Sequence, residues 1–218
     1  MPILHTPRLL AALGRGYRKR TPETKLVGVL PGNPHIYTGR PGLFDVDYLG
    51  HMNNASSLTH AELARWELTA ASGALDYFYK TKTMLMVAST AVRYRQEIRP
   101  IYRKFEIHTT LAGIDDSSFY FYHAFRYPEK GNDRIRTQLL VKTVSVQGRK
   151  VVDPRDILKE LGVPSDTIDS LSCQHRDSET SESTIEERMF AHFNDLEASF
   201  REATAADDEA LSKKDVEK

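Results

Sequence analysis

Eleven consecutive residues, Phe44-Asp45-Val46-Asp47-Tyr48-Leu49-Gly50-His51-Met52-Asn53-Asn54, gather two carboxylates, an imidazole and two carboxamides. Gly, Asn and Asp tolerate backbone angles that other residues avoid, so the stretch reads as a loop. Directly after it, Leu58, Ala61, Ala64, Leu68, Ala71, Leu75 and Phe78 recur at steps of three and four, the repeat of one buried helix face. The expected helix runs from about Ser56 to Tyr79, with Ser56 or Ser57 as N-cap and Thr59 with Glu62 as a capping box. A helix start offers unpaired N–H groups and a partial positive charge, which favour negative charge developing on a substrate oxygen. A carboxylate delivered to that point is equipped for acyl chemistry: a nucleophile or base, with an oxyanion site beside it.

The rest of the chain must position that loop. From Lys25 to Gly42 the text is punctuated by Gly and Pro, with short apolar pieces at Leu26–Leu30 and His35–Thr38, and predicts a loop-rich lead-in with one short strand. After Lys82 the apolar period falls to two, predicting strands over 84–98, 104–113, 118–127 and 135–147. The short connections between them predict an antiparallel meander. In the third, Phe119, Phe121, His123 and Phe125 share one face, which reads as core and not as a base-stacking platform. One long helix followed by four long strands is an α+β pattern, a curved sheet wrapped on a single helix. Asp153-Pro154 opens a short helix through Leu161, with Gly162 past its end.

The flanks differ in charge. Residues 1–20 carry Arg8, Arg15, Arg18, Lys19 and Arg20 and no acid, among Leu4, Leu9, Leu10 and Leu13. The stretch 1–24 reads either as a mitochondrial presequence or as a solvated basic tail, with Gly14 and Gly16 weakening any helix. A core domain is expected over 25–164, a Ser/Asp/Thr/Glu-rich linker over 165–183, an amphipathic helix over 184–206 and a charged tail over 207–218. Ile185, Met189, Phe193, Leu196 and Phe200 stripe that helix, which should dock on the core, a twin or a protein partner. Net formal charge is zero, and no long basic stripe points to nucleic acid. The single Cys173 excludes an internal disulfide and a multi-cysteine metal site, and reads as an inert linker thiol. No apolar run approaches the roughly 18 residues of a membrane span.

The pattern Asp45-x-Asp47-x-x-Gly50-His51-x-Asn53-Asn54, with Glu62-x-Ala64-Arg65 on the helix, resembles hotdog-fold thioesterases of the 4-hydroxybenzoyl-CoA thioesterase type. The runs Ala91–Arg95, Phe105–Thr109 and Leu140–Thr143 resemble the eukaryotic thioesterase-superfamily-like branch, and the resemblance covers about Leu43 to Gly162. It implies a homodimer with sheets joined edge to edge, a dimer or a tetramer in solution, and thioester hydrolysis at the interface. It implies an acyl-CoA or acyl-carrier substrate, no cofactor beyond the coenzyme A of that substrate, and no metal. It assigns the catalytic carboxylate to Asp47, with Glu62 as second choice because some relatives use a helix carboxylate.

Around these, Gly50 sets the loop conformation, His51 holds the loop, and Asn53 and Asn54 close it and cap the helix. Backbone N–H groups over Gly50–Ser57 are the expected oxyanion donors. Many relatives carry tyrosine where Ser57 stands, which points to altered pocket chemistry. If Asp45 and Asp47 lie on one side of an extended segment, like-charge proximity raises one pKa. Arg93, Arg95, Arg99, Arg103 and Lys104 cluster at a strand–turn–strand corner and suit the phosphates of coenzyme A; the competing reading is a solvated strand face. Two functional readings stand: an acyl-CoA thioesterase, mitochondrial or cytoplasmic, and a non-catalytic hotdog subunit that builds or binds within a larger assembly. A hotdog dehydratase using His51 and Glu62 ranks last, since its His-Phe-Pro opening is missing.

Overall fold

The computed structural model describes residues 2–22, 24–30, 32–129, 134–172, 192–196, 198 and 202. The chain forms two units, Met1–His175 and Arg176–Lys218. In the second unit the described residues are helical. Cys173, most of the expected helix at 184–206, the tail 207–218 and the part of the expected linker beyond Ser172 lie outside the described residues.

The first unit is a six-stranded antiparallel sheet with helices. In chain order the elements are α1 (Pro2–Lys19), β1 (His35–Gly39), α2 (Asn54–Ser72), α3 (Ala74–Thr81) and β2 (Thr83–Tyr94). They continue with β3 (Phe105–Ile114), β4 (Ser118–Arg126), β5 (Thr137–Gln147), β6 (Lys150–Val151), α4 (Pro154–Glu160) and α5 (Ser165–Leu171). The long strands begin within two residues and end within four residues of the predicted limits. The sheet order is β1-β3-β4-β5-β2, with β6 on β5. The meander runs through β3, β4, β5 and the short β6, and β2 does not join it at β3. The strand after α3 pairs with β5, from Thr83 opposite Gln147 to Tyr94 opposite Thr137, and not with β3 as expected. The connection from residue 95 to 104 passes the loop before α2, where the Met52 N–H donates to the Ile98 carbonyl at 2.9 Å, and so leads to the far side of the sheet.

Ala61, Leu63, Ala64, Phe105, Ile107, Phe125, Leu139 and Val141 share one buried core, which places α2 against the sheet as the sequence pattern requires. A second core gathers Phe78, Leu111, Ile114, Phe119, Ile157, Leu158, Ile168 and Leu171. The expected linker therefore starts late: residues 165–171 form α5, because Ile168 and Leu171 have apolar partners to bury against. The single long helix is two. Gly73, at φ +85°, breaks it, and a Cβ there would meet the Arg20 guanidinium. Its N-cap is Asn53, whose Oδ1 accepts from the Ser56 N–H at 2.8 Å, and not Ser56 or Ser57. Thr59 lies inside the helix, bonded to the Ala55 carbonyl, so the Thr59–Glu62 box does not form.

The N-terminal segment departs furthest from its reading as a solvated tail. It is an 18-residue helix against α2, with Ala12 fully buried. Gly16 does not weaken α1 in place; it is where the two helices touch. A Cβ there would collide with the Glu67 carbonyl oxygen and Ala70 Cβ. Replacing Gly16 by Val should therefore cost about 1–3 kcal/mol of stability, the usual cost of overpacking. Thermal melts of the full chain check this, and an unchanged midpoint would mean that the helices do not meet there.

Candidate functional site

The loop before α2 is a small hairpin. Val46 bridges Met52, the Asp47 N–H donates to the His51 carbonyl at 3.1 Å, and the Gly50 N–H donates to the Asp47 carbonyl at 3.0 Å. Gly50 sits at φ +75°, a region open to glycine, as expected. At the hairpin's base the Asn53 N–H donates to the Asp45 carbonyl at 2.9 Å, and Asn53 caps α2. Of the first-turn N–H groups, Ser56 is satisfied by that cap, while helical geometry leaves those of Asn54 and Ala55 open.

The two aspartates are not equivalent. Asp45 is buried and accepts a bidentate pair from Arg8 at 2.9 and 3.1 Å, with the Gly42 N–H at 2.8 Å. His60 Nε2 lies 2.9 Å from Arg8 Nη2 and 3.3 Å from Asp45 Oδ2. Burial would raise the Asp45 pKa, but contacts with His60, Arg8 and the Gly42 N–H outweigh it and hold the carboxyl well below its usual range. The expected like-charge elevation is thus absent at Asp45, because Arg8 supplies the opposite charge. Asp47, with its side chain 28% exposed, accepts from the Leu49 N–H at 3.0 Å and lies 3.3 Å from His51 Nδ1.

A groove of about 230 Å³ opens at this end of α2, lined by His51, Met52, Asn54, Ser57, Tyr94, Arg95, Gln96, Glu97, Ile98 and Thr137. It brings together His51, Asn54, Ser57 and Arg95 from the expected set. Asp47 stands behind its wall, one contact away through His51. Glu62 is elsewhere: its carboxylate is 3.5 Å from His5 Nε2 on the α1 side. The basic cluster divides as well. Arg99 pairs with Glu97 at 3.2 Å, Arg103 with Glu129 at 3.2 Å and Lys104 with Glu106 at 3.3 Å. Arg93 and Arg95 are exposed at the end of β2. The five occupy β2 and a ten-residue crossing, not a tight corner.

Two buried polar sites escaped the sequence reading. Glu67 on α2 is wholly buried and accepts from Arg15 at 2.8 Å and Lys19 at 2.6 Å, with His35 Nε2 at 3.5 Å. Burial pushes its pKa up, but contacts with His35, Lys19 and Arg15 outweigh that and pull it down to about 2. His123 on β4 is also wholly buried, 2.9 Å from Thr109 Oγ1 and 3.2 Å from Arg65 Nη1. A guanidinium has only donors, so Nε2 accepts and the ring proton sits on Nδ1, facing Thr109. Ala12 and Gly16, spaced at one helical turn between Arg8, Arg15 and Lys19, are the sequence signal for the α1 contacts.

Acid should weaken the fold in two stages. Burial lowers the pKa of His60, against the pull of Asp45, and takes His123 well below 6.5. Both rings stay neutral in the fold while the unfolded chain takes up protons below about 6.5, so stability falls as pH drops through that value. Asp45 and Glu67, also lowered, add a further loss below about 4. Thermal midpoints from pH 8 to pH 4 check the sign; a midpoint that rises on acidification would contradict it.

A family model described as the thioesterase-like superfamily matches residues 41–161. The protein THEM6 of Xenopus laevis is 34% identical over 91 residues, covering 42% of this chain and 44% of that protein. The protein THEM6 of Danio rerio is 29% identical over 126 residues, 58% of this chain and 59% of that protein. The matches thus span about half the length of these curated relatives. Among solved structures, a probable thioesterase, YbaW, from Escherichia coli superposes with a TM-score of 0.53 at 17% identity, covering 59% of this chain and 96% of that one. A 1,4-dihydroxy-2-naphthoyl-CoA thioesterase from Synechocystis does so with a TM-score of 0.52 at 12% identity, covering 61% and 97%. At such identities the likeness establishes the fold, a curved antiparallel sheet around a central helix. With more than half of its residues under the family model, the chain belongs to the thioesterase-like superfamily and has the hotdog fold.

Proposed function

We propose that the protein hydrolyses acyl-CoA or acyl-carrier thioesters, with Asp47 as the catalytic carboxylate. The observation that carries this reading is the groove at the start of α2, with His51 on its wall and Asp47 3.3 Å behind it. A thioester carbonyl seated there meets the open N–H groups of Asn54 and Ala55, which favour negative charge on its oxygen. Asp47, directly or through His51, takes a proton from water as the water oxygen adds to the carbonyl carbon. The carbon–sulfur bond then breaks, and the thiol leaves with a proton. Arg95 on the groove wall, with Arg93 near it, is suited to a phosphate of coenzyme A.

The β2 edge supports a dimer completing this site. Within the described sheet β2 pairs only with β5, and Met84, Met86 and Val87 are more than half exposed. An apolar edge of this kind favours a second strand. Met86→Lys should give monomers by size exclusion with light scattering, and at least a ten-fold loss of hydrolysis. A fully active monomer would remove the partner from the site.

The reading is tested by following thiol release from a panel of acyl-CoAs with the full chain. Saturable release from at least one supports it; no release from any opposes it. One observation favours the competing reading of a non-catalytic binder: the Asp47 carboxylate is engaged by its own loop and does not line the groove.

A further inference from the structure

The loop that carries Asp47 is held from outside the superfamily-matched segment of residues 41–161. Arg8 projects from α1, and its two terminal nitrogens grip both oxygens of Asp45 across 37 positions of sequence. Asp45 is the hairpin's base. Its side chain takes the Gly42 N–H on one side, and its carbonyl takes the Asn53 N–H on the other. Asn53 in turn caps α2, and two residues beyond Asp45 stands Asp47. Arg8 also reaches His60, nearly two helical turns into the buried face of α2. One guanidinium thus ties the hairpin to the helix whose start it must face.

The anchorage of α1 is independent of this contact. Arg15 and Lys19 hold Glu67, and Ala12 and Gly16 seat on the helix surface. A bidentate guanidinium–carboxylate pair fixes orientation as well as distance, which a lysine at the same position does not. Loss of about 1 Å of placement at a reacting group costs on the order of 100-fold in rate.

We infer that α1 is a built-in part of the candidate site and that Arg8 is a positioning residue, holding the 42–53 hairpin so that His51 lines the groove with Asp47 in contact behind it. The inference rests on the hydrolase reading for its kinetic consequence and on geometry alone for the clamp. It also bears on the N-terminus: removal of α1 as a presequence would take away the partner of Asp45.

Two measurements on the full chain separate these parts. In Arg8→Met, amide hydrogen exchange at Asp47, Gly50 and Asn53 should quicken at least ten-fold, with the amides of β3 and β4 unchanged. In the same variant kcat for thiol release should fall at least ten-fold, with KM moving less than three-fold. Arg8→Lys should fall between it and the wild type. Asp45→Asn should reproduce the loss, and the double variant should be no worse than either single, as expected for two halves of one contact. Unchanged exchange in the hairpin of Arg8→Met overturns the clamp whatever the kinetics. Faster exchange with unchanged kcat overturns the positioning role. If the wild type hydrolyses nothing, the hydrolase reading fails and the kinetic role with it, while the exchange result still decides the clamp.

Discussion

Asn in place of Asp47 should lower kcat for thioester hydrolysis by about 100- to 10,000-fold, the range over which a positioned acid or base contributes. That corresponds to about 3–5 kcal/mol of barrier. The substitution is chosen to leave the loop standing. The side-chain oxygen that accepts the Leu49 N–H at 3.0 Å is kept by Asn, and the hairpin's own backbone bonds do not involve the side chain. What Asn lacks is the negative charge beside His51 and the ability to take a proton. KM and the thermal midpoint should therefore change little. Steady-state thiol release by the two proteins, with melts recorded in parallel, gives the comparison. A D47N variant within two-fold of the wild type would move the chemistry to another group.

The second large effect is on stability. Replacing Arg15 and Lys19 together by Met leaves Glu67, with no exposed surface, beside His35 alone. Removing the partners of a buried charge is strongly destabilising, about 3–5 kcal/mol. The lower end applies here, because both cations are more than a third exposed and their attraction is partly screened. A loss of about 3 kcal/mol lowers the midpoint of a chain this size by about 6–12 °C. Adding Glu67→Met should return most of the loss, since the stranded carboxylate and not the missing cations carries the cost. A triple variant as unstable as the double would show instead that α1 is held by packing.

The contrast between Asp45 and Asp47 explains what could be read from the sequence. Alternation showed which strand residues face the core, because the side-chain period of a strand is two. The apolar stripe placed a helix after the acidic loop, and the strands, the loop and that helix stand where expected. Alternation does not say which edge a strand joins, so the crossing of β2 to β5 was hidden. The stripe also ran on through Gly73, where a left-handed residue ends one helix and begins another. Two aspartates two positions apart look alike in one dimension. Arg8, 37 residues before Asp45, buries one of them in an ion pair, while the other stays within its own hairpin beside His51. Glu67 stayed out of sight for the same reason: its Lys19 and Arg15 partners lie 48 and 52 residues away. The groove itself is assembled from the loop, α2, the end of β2, the crossing segment and Thr137 of β5, so no single stretch announces it.

A single-turnover experiment tests the hydrolase reading most directly, because it separates cleavage from binding. The full chain is mixed in excess over an acyl-CoA that it binds, the reaction is quenched over time, and free acid and thiol are quantified. Wild type should convert all bound thioester to acid and thiol in equal amounts, and D47N should leave the thioester intact over the same period. Recovery of intact thioester from the wild-type complex would contradict the hydrolase reading and leave the chain a binder.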